Sequence, residues 1–228
     1  FHTSEFPIRG PPPTQAEIES ILRHRPSTQD ILLQGRQLRS ENPFVQLDRG
    51  GIAMGYAVDL AIEHLQELNL TNALVNAGGD LRAMGSHGAR PWRVAVRNPI
   101  GGILGAVEVS GNEALFTSGS YERFLEHSEE RYPHILDPRT GWPVKDVASV
   151  TVLAHDGLLA DAAATAMVVA GLDHWQEVAR RLELDHVLVV DEAGQVYLTR
   201  DMARRVKLAE DIEPVIVELG SEGASLPE

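Results

Sequence analysis

Hydrophobic and polar positions along the chain follow two periods, and each predicts its own kind of element. Strict alternation marks residues 92–97, WRVAVR, as a strand, and residues 103–109 read as a second one after a Gly-Gly turn. Residues 114–117 form a third, short strand. Residues 73–76 read as a strand ending in Ala77-Gly78-Gly79-Asp80, and residues 148–154, ASVTVLA, as another. Residues 186–190 and 195–198 predict a hairpin through Glu192-Ala193-Gly194. Helical spacing governs other stretches. Residues 157–171, GLLADAAATAMVVAG, predict one alanine-rich helix of about four turns with a glycine at each end. Residues 47–59, LDRGGIAMGYAVD, run into an amphipathic helix. Its apolar positions are Leu60, Ala61, Leu65 and Leu68, with Glu63, His64 and Glu67 among the polar ones.

The remaining segments are shorter. Thr14 is followed three places on by Glu17, a capping-box pattern that predicts a short helix over residues 14–23. Residues 30–38 read as a hairpin arm around Gly35, and residues 173–183 as a surface helix. Residues 1–13 end in three prolines and read as an extended linker or surface strap. Residues 132–143 are rich in turn formers. Beyond Arg200 the charges mix with an apolar run, IEPVIVEL, before a polar end. Neither an internal repeat nor a clear linker divides the chain. Strands grouped in the middle with helices between them predict an α+β fold of mixed or antiparallel sheets with packed helices, not a doubly wound parallel sheet.

Charge changes this picture by exclusion. The formal net charge is −13, from 33 acidic and 20 basic residues, which argues against a general nucleic-acid binder but allows a basic pocket for a small anion. With no cysteine, thiolate chemistry and disulfides are out. No apolar run approaches the roughly 18 residues of a membrane span. The chain begins with Phe1 rather than Met, so it reads as processed or excised from something longer, any targeting sequence having gone with the missing part.

Five stretches carry candidate chemistry. Asp161 and Thr165 interrupt the apolar helix four residues apart, so they share a face. A carboxylate there is costly to bury unless something positive meets it. Either Asp161 begins the helix and caps its first turn, or it joins the hydroxyl in holding a hard cation such as Mg2+. Gly50-Gly51 either let the main chain approach a ligand closely or serve a turn demanding positive φ. Asn76-Ala77-Gly78-Gly79-Asp80 either cradles an anion or makes a tight turn; no Gly-Lys-Ser/Thr follows, so it is not a P-loop. Thr117-Ser118-Gly119-Ser120-Tyr121 suits phosphate or a capped turn. His134, just ahead of Asp137-Pro138-Arg139-Thr140-Gly141, is either a general base or structural.

Taken in order, LDRGGIAMGYAVD, VNAGGDLRAMG, TSGSYERF, HILDPRTGWPV and SVTVLAHDGLLADAAATA resemble the ApbE-type FAD:protein FMN transferases. The resemblance is strong over residues 45–171 and looser elsewhere. It implies an ApbE-like, tunnelling-fold-like architecture forming a single domain over residues 1–228. That domain lacks the family's usual N-terminal segment, which supplies part of the FAD pocket, including an aromatic. It implies an enzyme that binds FAD and Mg2+, splits the pyrophosphate and attaches FMN by a phosphoester to a Thr or Ser of a partner. Such partners are subunits of membrane redox complexes carrying an Asp-Gly-x-Thr/Ser-Gly-Ala-Thr-like motif.

Carried over residue by residue, the metal ligands are the main-chain oxygen of Gly51 with Asp161 and Thr165, and Asp161 stands with His134 as catalytic. Asp48 and Ile135 match positions that touch FAD, and His134 matches the base for the acceptor hydroxyl. Met54 stands where the family usually has a lysine that meets FAD. Gly78, Gly79, Asp80, Thr117, Ser118 and Gly119 complete the expected flavin-binding set. The implied location is periplasmic, or anchored on the outer side of the bacterial inner membrane. Two alternatives remain: a FAD pyrophosphatase releasing FMN and AMP, or a flavin-binding module without catalysis.

Overall fold

A strand that buries every residue must sit between two apolar layers, and VASVTVLA does so along its whole length. The computed structural model describes residues 8–121 and 123–220. In chain order these run through β1 (Ile8–Arg9), α1 (Gln15–Leu22), β2 (Ile31–Gln34), β3 (Gln37–Ser40), α2 (Ala53–Glu67), β4 (Ala73–Ala77) and β5 (Asp80–Gly85). There follow β6 (Trp92–Arg97), β7 (Ile103–Val109), β8 (Gly111–Gly119), β9 (Phe124–His127), β10 (Glu130–Pro133) and β11 (Val147–Ala154). The chain continues with α3 (Gly157–Ala170), α4 (Trp175–Arg181), β12 (Val187–Asp191), β13 (Val196–Thr199), α5 (Arg200–Arg205), β14 (Val206–Leu208) and β15 (Val215–Val217). This is the α+β arrangement that the sequence pattern predicts.

The central sheet has seven strands in the order β15-β13-β12-β11-β8-β5-β4. Its pairings are antiparallel except β13 with β15. Side-chain alternation gives it two cores. Val150, Val152 and Ala154 of β11 face Ala160, Ala163, Ala164 and Met167 of α3, with Val187 and Val189 of β12 on the same side. Leu153, Leu188 and Val190 point the other way and pack with Val107 and Val109 of the β14-β7-β6 sheet and Met202 of α5. Each such side chain contributes about 1.5–3 kcal/mol when fully buried. The alanines bring α3 down close onto β8 and β11.

Several expectations change here. On α2 the buried residues are Gly55, Val58, Asp59 and Ile62, whereas Leu60 and Leu68 are 45% and 58% exposed. Close contact with α3 selects the glycine-bearing face over the leucine-bearing one. Residues 117–119 belong to strand β8, not to a loop. The stretch after them holds a hairpin, β9 and β10, turned by Ser128 and Glu129 at positive φ. The expected surface helix, α4, buries Trp175 and Ala179. Beyond Thr199, α5 and β14 form where mixed charge gave no periodic signal. The proline-rich start contains β1, paired in parallel with β9; residues 1–7 and the polar end at 221–228 lie outside the described residues. No helix among the described residues is long and apolar enough to cross a membrane.

Candidate functional site

The site grows from the place where α2 and α3 touch. A Cβ on Gly55 would lie 2.2 Å from the Gly157 carbonyl oxygen, and one on Gly157 would lie 2.8 Å from the Gly55 oxygen. Only glycine permits that approach. One turn on from each glycine is an aspartate, giving Gly55-Tyr56-Ala57-Val58-Asp59 and Gly157-Leu158-Leu159-Ala160-Asp161. Each aspartate reaches across to the other helix. Asp161 Oδ2 accepts from the Gly55 amide at 2.9 Å, and Asp59 accepts from the amides of Gly157 at 2.7 Å and Leu158 at 2.9 Å. The two helices therefore satisfy each other's otherwise orphaned N-terminal donors.

Asp161 consequently does not cap its own helix. That role falls to Asp156, which accepts from the Leu159 amide. Residue Ile52, at the start of α2, provides no side-chain cap, and the amides of Gly55 and Met54 bond to Asp161 instead.

The two aspartates differ in one respect. Asp59 pairs with Arg82 of β5 at 2.6 Å, in a bridge whose two side chains are only 10% and 12% exposed. Asp161 has no charged side-chain partner among the described residues, and burial raises its pKa against the lowering effect of the two amides. Arg82 Nε has no partner among the described residues, so the Asp59 bridge rests on the terminal nitrogen.

Oxygens gather around Thr165, one turn along α3 from Asp161. Thr165 Oγ1 lies 2.9 Å from Ser118 Oγ and donates to the Asp161 carbonyl at 3.3 Å. Gly51 faces the same hydroxyl, since a Cβ there would sit 3.1 Å from Thr165 Oγ1. Neither Gly50 nor Gly51 has positive φ, so close approach, not turn geometry, accounts for Gly51. Asp48 Oδ1 accepts from the Gly50 amide at 2.6 Å and braces this loop from its exposed side.

The other expected residues divide. Asp80 Oδ1 accepts from the Thr117 amide at 3.0 Å, tying β5 to β8. Thr117 Oγ1 lies 2.8 Å from Thr151 Oγ1, on the sheet face away from Ser118, so its hydroxyl points away from Thr165. Gly119 packs under Tyr121, where a Cβ would meet the ring at 2.5 Å. Gly78 and Gly79 form the β4–β5 turn at positive φ, and the Gly79 amide is taken by Asn76 Oδ1. Ile135 is 8% exposed, its side chain packed in the core. His134 follows β10, with Nδ1 3.1 Å from the Arg123 carbonyl. A carbonyl oxygen only accepts, so Nδ1 is the donor in that hydrogen bond. Met54 is 41% exposed at the N-terminus of α2.

Asp59, Arg82 and the paired glycines escaped sequence reasoning. The available signal was the recurrence of Gly-x-x-x-Asp at 55–59 and 157–161.

A cation fits this donor set. Gly51, Asp161, Thr165 and Ser118 offer only oxygen, which suits Mg2+. The described residues contain no cluster of three or more His, Cys, Asp or Glu side chains that could hold a metal, and Asp161 is the anionic member of this donor set. A divalent ion held by one carboxylate retains a positive charge for an anionic ligand.

Fold and donor set together define an α+β protein with an oxygen-lined site at paired helix N-termini. The chain belongs to the ApbE family, whose sequence model matches residues 3–188. The FAD:protein FMN transferase of Rhodobacter capsulatus is 42% identical over 198 residues, covering 86% of this chain and 38% of that protein. The protein of the same name from Haemophilus influenzae is 32% identical over 219 residues, covering 93% and 63%. Among solved structures, the ApbE protein of Thermotoga maritima superimposes with a TM-score of 0.78 at 34% identity, covering 86% of this chain and 64% of that one. The apo flavinyl transferase ApbE of Pseudomonas stutzeri gives 0.72 at 32%, covering 86% and 62%. The chain thus spans between 38% and 64% of the length of these relatives.

Proposed function

We propose that this chain carries the transfer site of a Mg2+-dependent FAD:protein FMN transferase. The observation that carries this reading is the difference between two matched carboxylates. Asp59 has Arg82, while the equivalent Asp161 accepts from backbone amides and has no charged side-chain partner among the described residues. The Gly51 carbonyl, Asp161 and Thr165 would hold a cation that supplies that missing charge. When bound, it offsets charge on the pyrophosphate of FAD and on the departing phosphate.

The chain's own residues do the rest. His134 takes the proton of an acceptor Thr or Ser hydroxyl as its oxygen attacks the FMN phosphorus. A new P–O bond forms to the acceptor, the pyrophosphate P–O bond breaks, and AMP leaves with the electron pair. Asp48 and Ser118 border the loop and hydroxyl cluster where the phosphates would lie. Family likeness supports an acceptor that is a subunit of a membrane redox complex, acting on the periplasmic side of the inner membrane.

The test is direct. Incubation with FAD, Mg2+ and an acceptor subunit is expected to leave the acceptor heavier by one FMN and to release one AMP per modification. AMP release without any gain in acceptor mass would assign the site to hydrolysis; neither product would reject the reading.

A further inference from the structure

We infer that Asp59 and Arg82 are positioning residues for the cation site, setting the height of Asp161 and Thr165 without touching ligand. This rests on the cation reading above and goes beyond it. Asp59 is anchored at both oxygens. Oδ1 meets Arg82 Nη1 at 2.6 Å and the Gly157 amide at 2.7 Å, and Oδ2 meets the Leu158 amide at 2.9 Å. Those amides open α3, and Asp161 lies one turn further along the same helix. A shift of that first turn relative to α2 therefore moves Asp161 against Gly55, and Thr165 against Gly51.

Contact geometry leaves little room for compensation. The Gly55–Gly157 approach permits no added methyl, and a methyl on Gly51 would press against the Thr165 side chain. Ser118 binds the same hydroxyl from β8. Arg82 comes from β5, the strand next to β8 in the central sheet, so one bridge ties the helix pair to the sheet that carries Ser118. Arg82 thus acts on the Asp161 side of the site only through the helix pair, as the positive charge belonging to Asp59.

Mn2+ serves as a probe of the divalent site, titrated into the whole chain and followed by electron paramagnetic resonance. Wild type is expected to bind one Mn2+, and Asp161→Asn none. If wild type binds none, or Asp161→Asn binds as wild type does, both the cation reading and this inference fall. Asp59→Asn keeps the shape but turns a donor toward the Leu158 or Gly157 amide; its Kd for Mn2+ is expected to rise about tenfold. Arg205→Ala is the control for stability alone. It breaks a remote pair with Glu113 at 2.6 Å and is expected to lower the unfolding temperature with no change in Kd. Should Asp59→Asn fail to fold, Arg82→Lys, which keeps the charge, is read in the same way. A Kd within twofold of wild type in the variant read, beside the loss in Asp161→Asn, overturns the positioning role and leaves the cation reading intact.

Discussion

The two Gly-x-x-x-Asp turns, residues 55–59 and 157–161, do the same mechanical work with opposite electrostatic outcomes. In both, a glycine admits the partner helix and an aspartate one turn later closes that partner's first amides. At Asp59 a buried guanidinium completes the charge balance. At Asp161 the carboxylate meets backbone amides with no charged side-chain partner among the described residues, and burial works against ionisation. A folded chain tolerates the second arrangement when something outside it supplies the positive charge. The lesson is that one local device caps both helices, and only the charge beside each aspartate sets the two turns apart.

Breaking the ligand half should have the largest effect on function. Asp161→Ala is expected to lower FMN transfer by about 10²–10³-fold, the scale of losing a key electrostatic group. Single-turnover assays in saturating FAD and Mg2+ check this. Breaking the structural half should fall instead on stability. Asp59→Asn leaves Arg82 buried and uncompensated, an expected loss of about 3 kcal/mol. Denaturant unfolding of the metal-free protein checks it, with Asp161→Asn expected to lose less. If the two variants lose equally, the proposed asymmetry is wrong.

Smaller effects sharpen the contrast. Thr165→Val removes one neutral donor and should weaken transfer by about tenfold, roughly one hydrogen bond; the variant's rate at saturating Mg2+ tests it. The pH dependence has a definite sign. Because the folded-state pKa of Asp161 is raised, its contribution to stability is full below the ordinary carboxylate value and is lost as pH rises through the raised one. Metal-free wild type should gain stability relative to Asp161→Asn on acidification across that window, as thermal unfolding at a series of pH values would reveal. Last, Met54→Lys adds a charge at a 41%-exposed position beside Asp161. It is expected to tighten FAD roughly fivefold by attraction to the phosphates, measurable by flavin fluorescence.

Much of the fold was legible in the sequence because its signals are local. The capping box at Thr14 and Glu17 forms as its spacing predicts, and Gly35 turns the β2–β3 hairpin. The alternation of WRVAVR gives β6, and Gly171 ends α3. Asp161 and Thr165 are legible because polar residues on an apolar helix stand out against its alanines. Less visible were elements whose periodicity depends on their neighbours. Leu60 and Leu68 make as good a helical stripe as Val58 and Ile62, and only contact with α3 chooses between them. Thr117 and Ser118 look like one hydroxyl cluster until strand alternation sends them to opposite faces.

Taken alone, the amino-acid order determined the α+β class, most of the elements and the family motifs, because turn chemistry and side-chain periodicity act over a few residues. Only the tertiary structure decided that residues 55–59 and 157–161 close on each other, nearly a hundred positions apart. It also decided which of the two aspartates receives the arginine. Burial and charge compensation belong to the packed chain, and no local pattern encodes them.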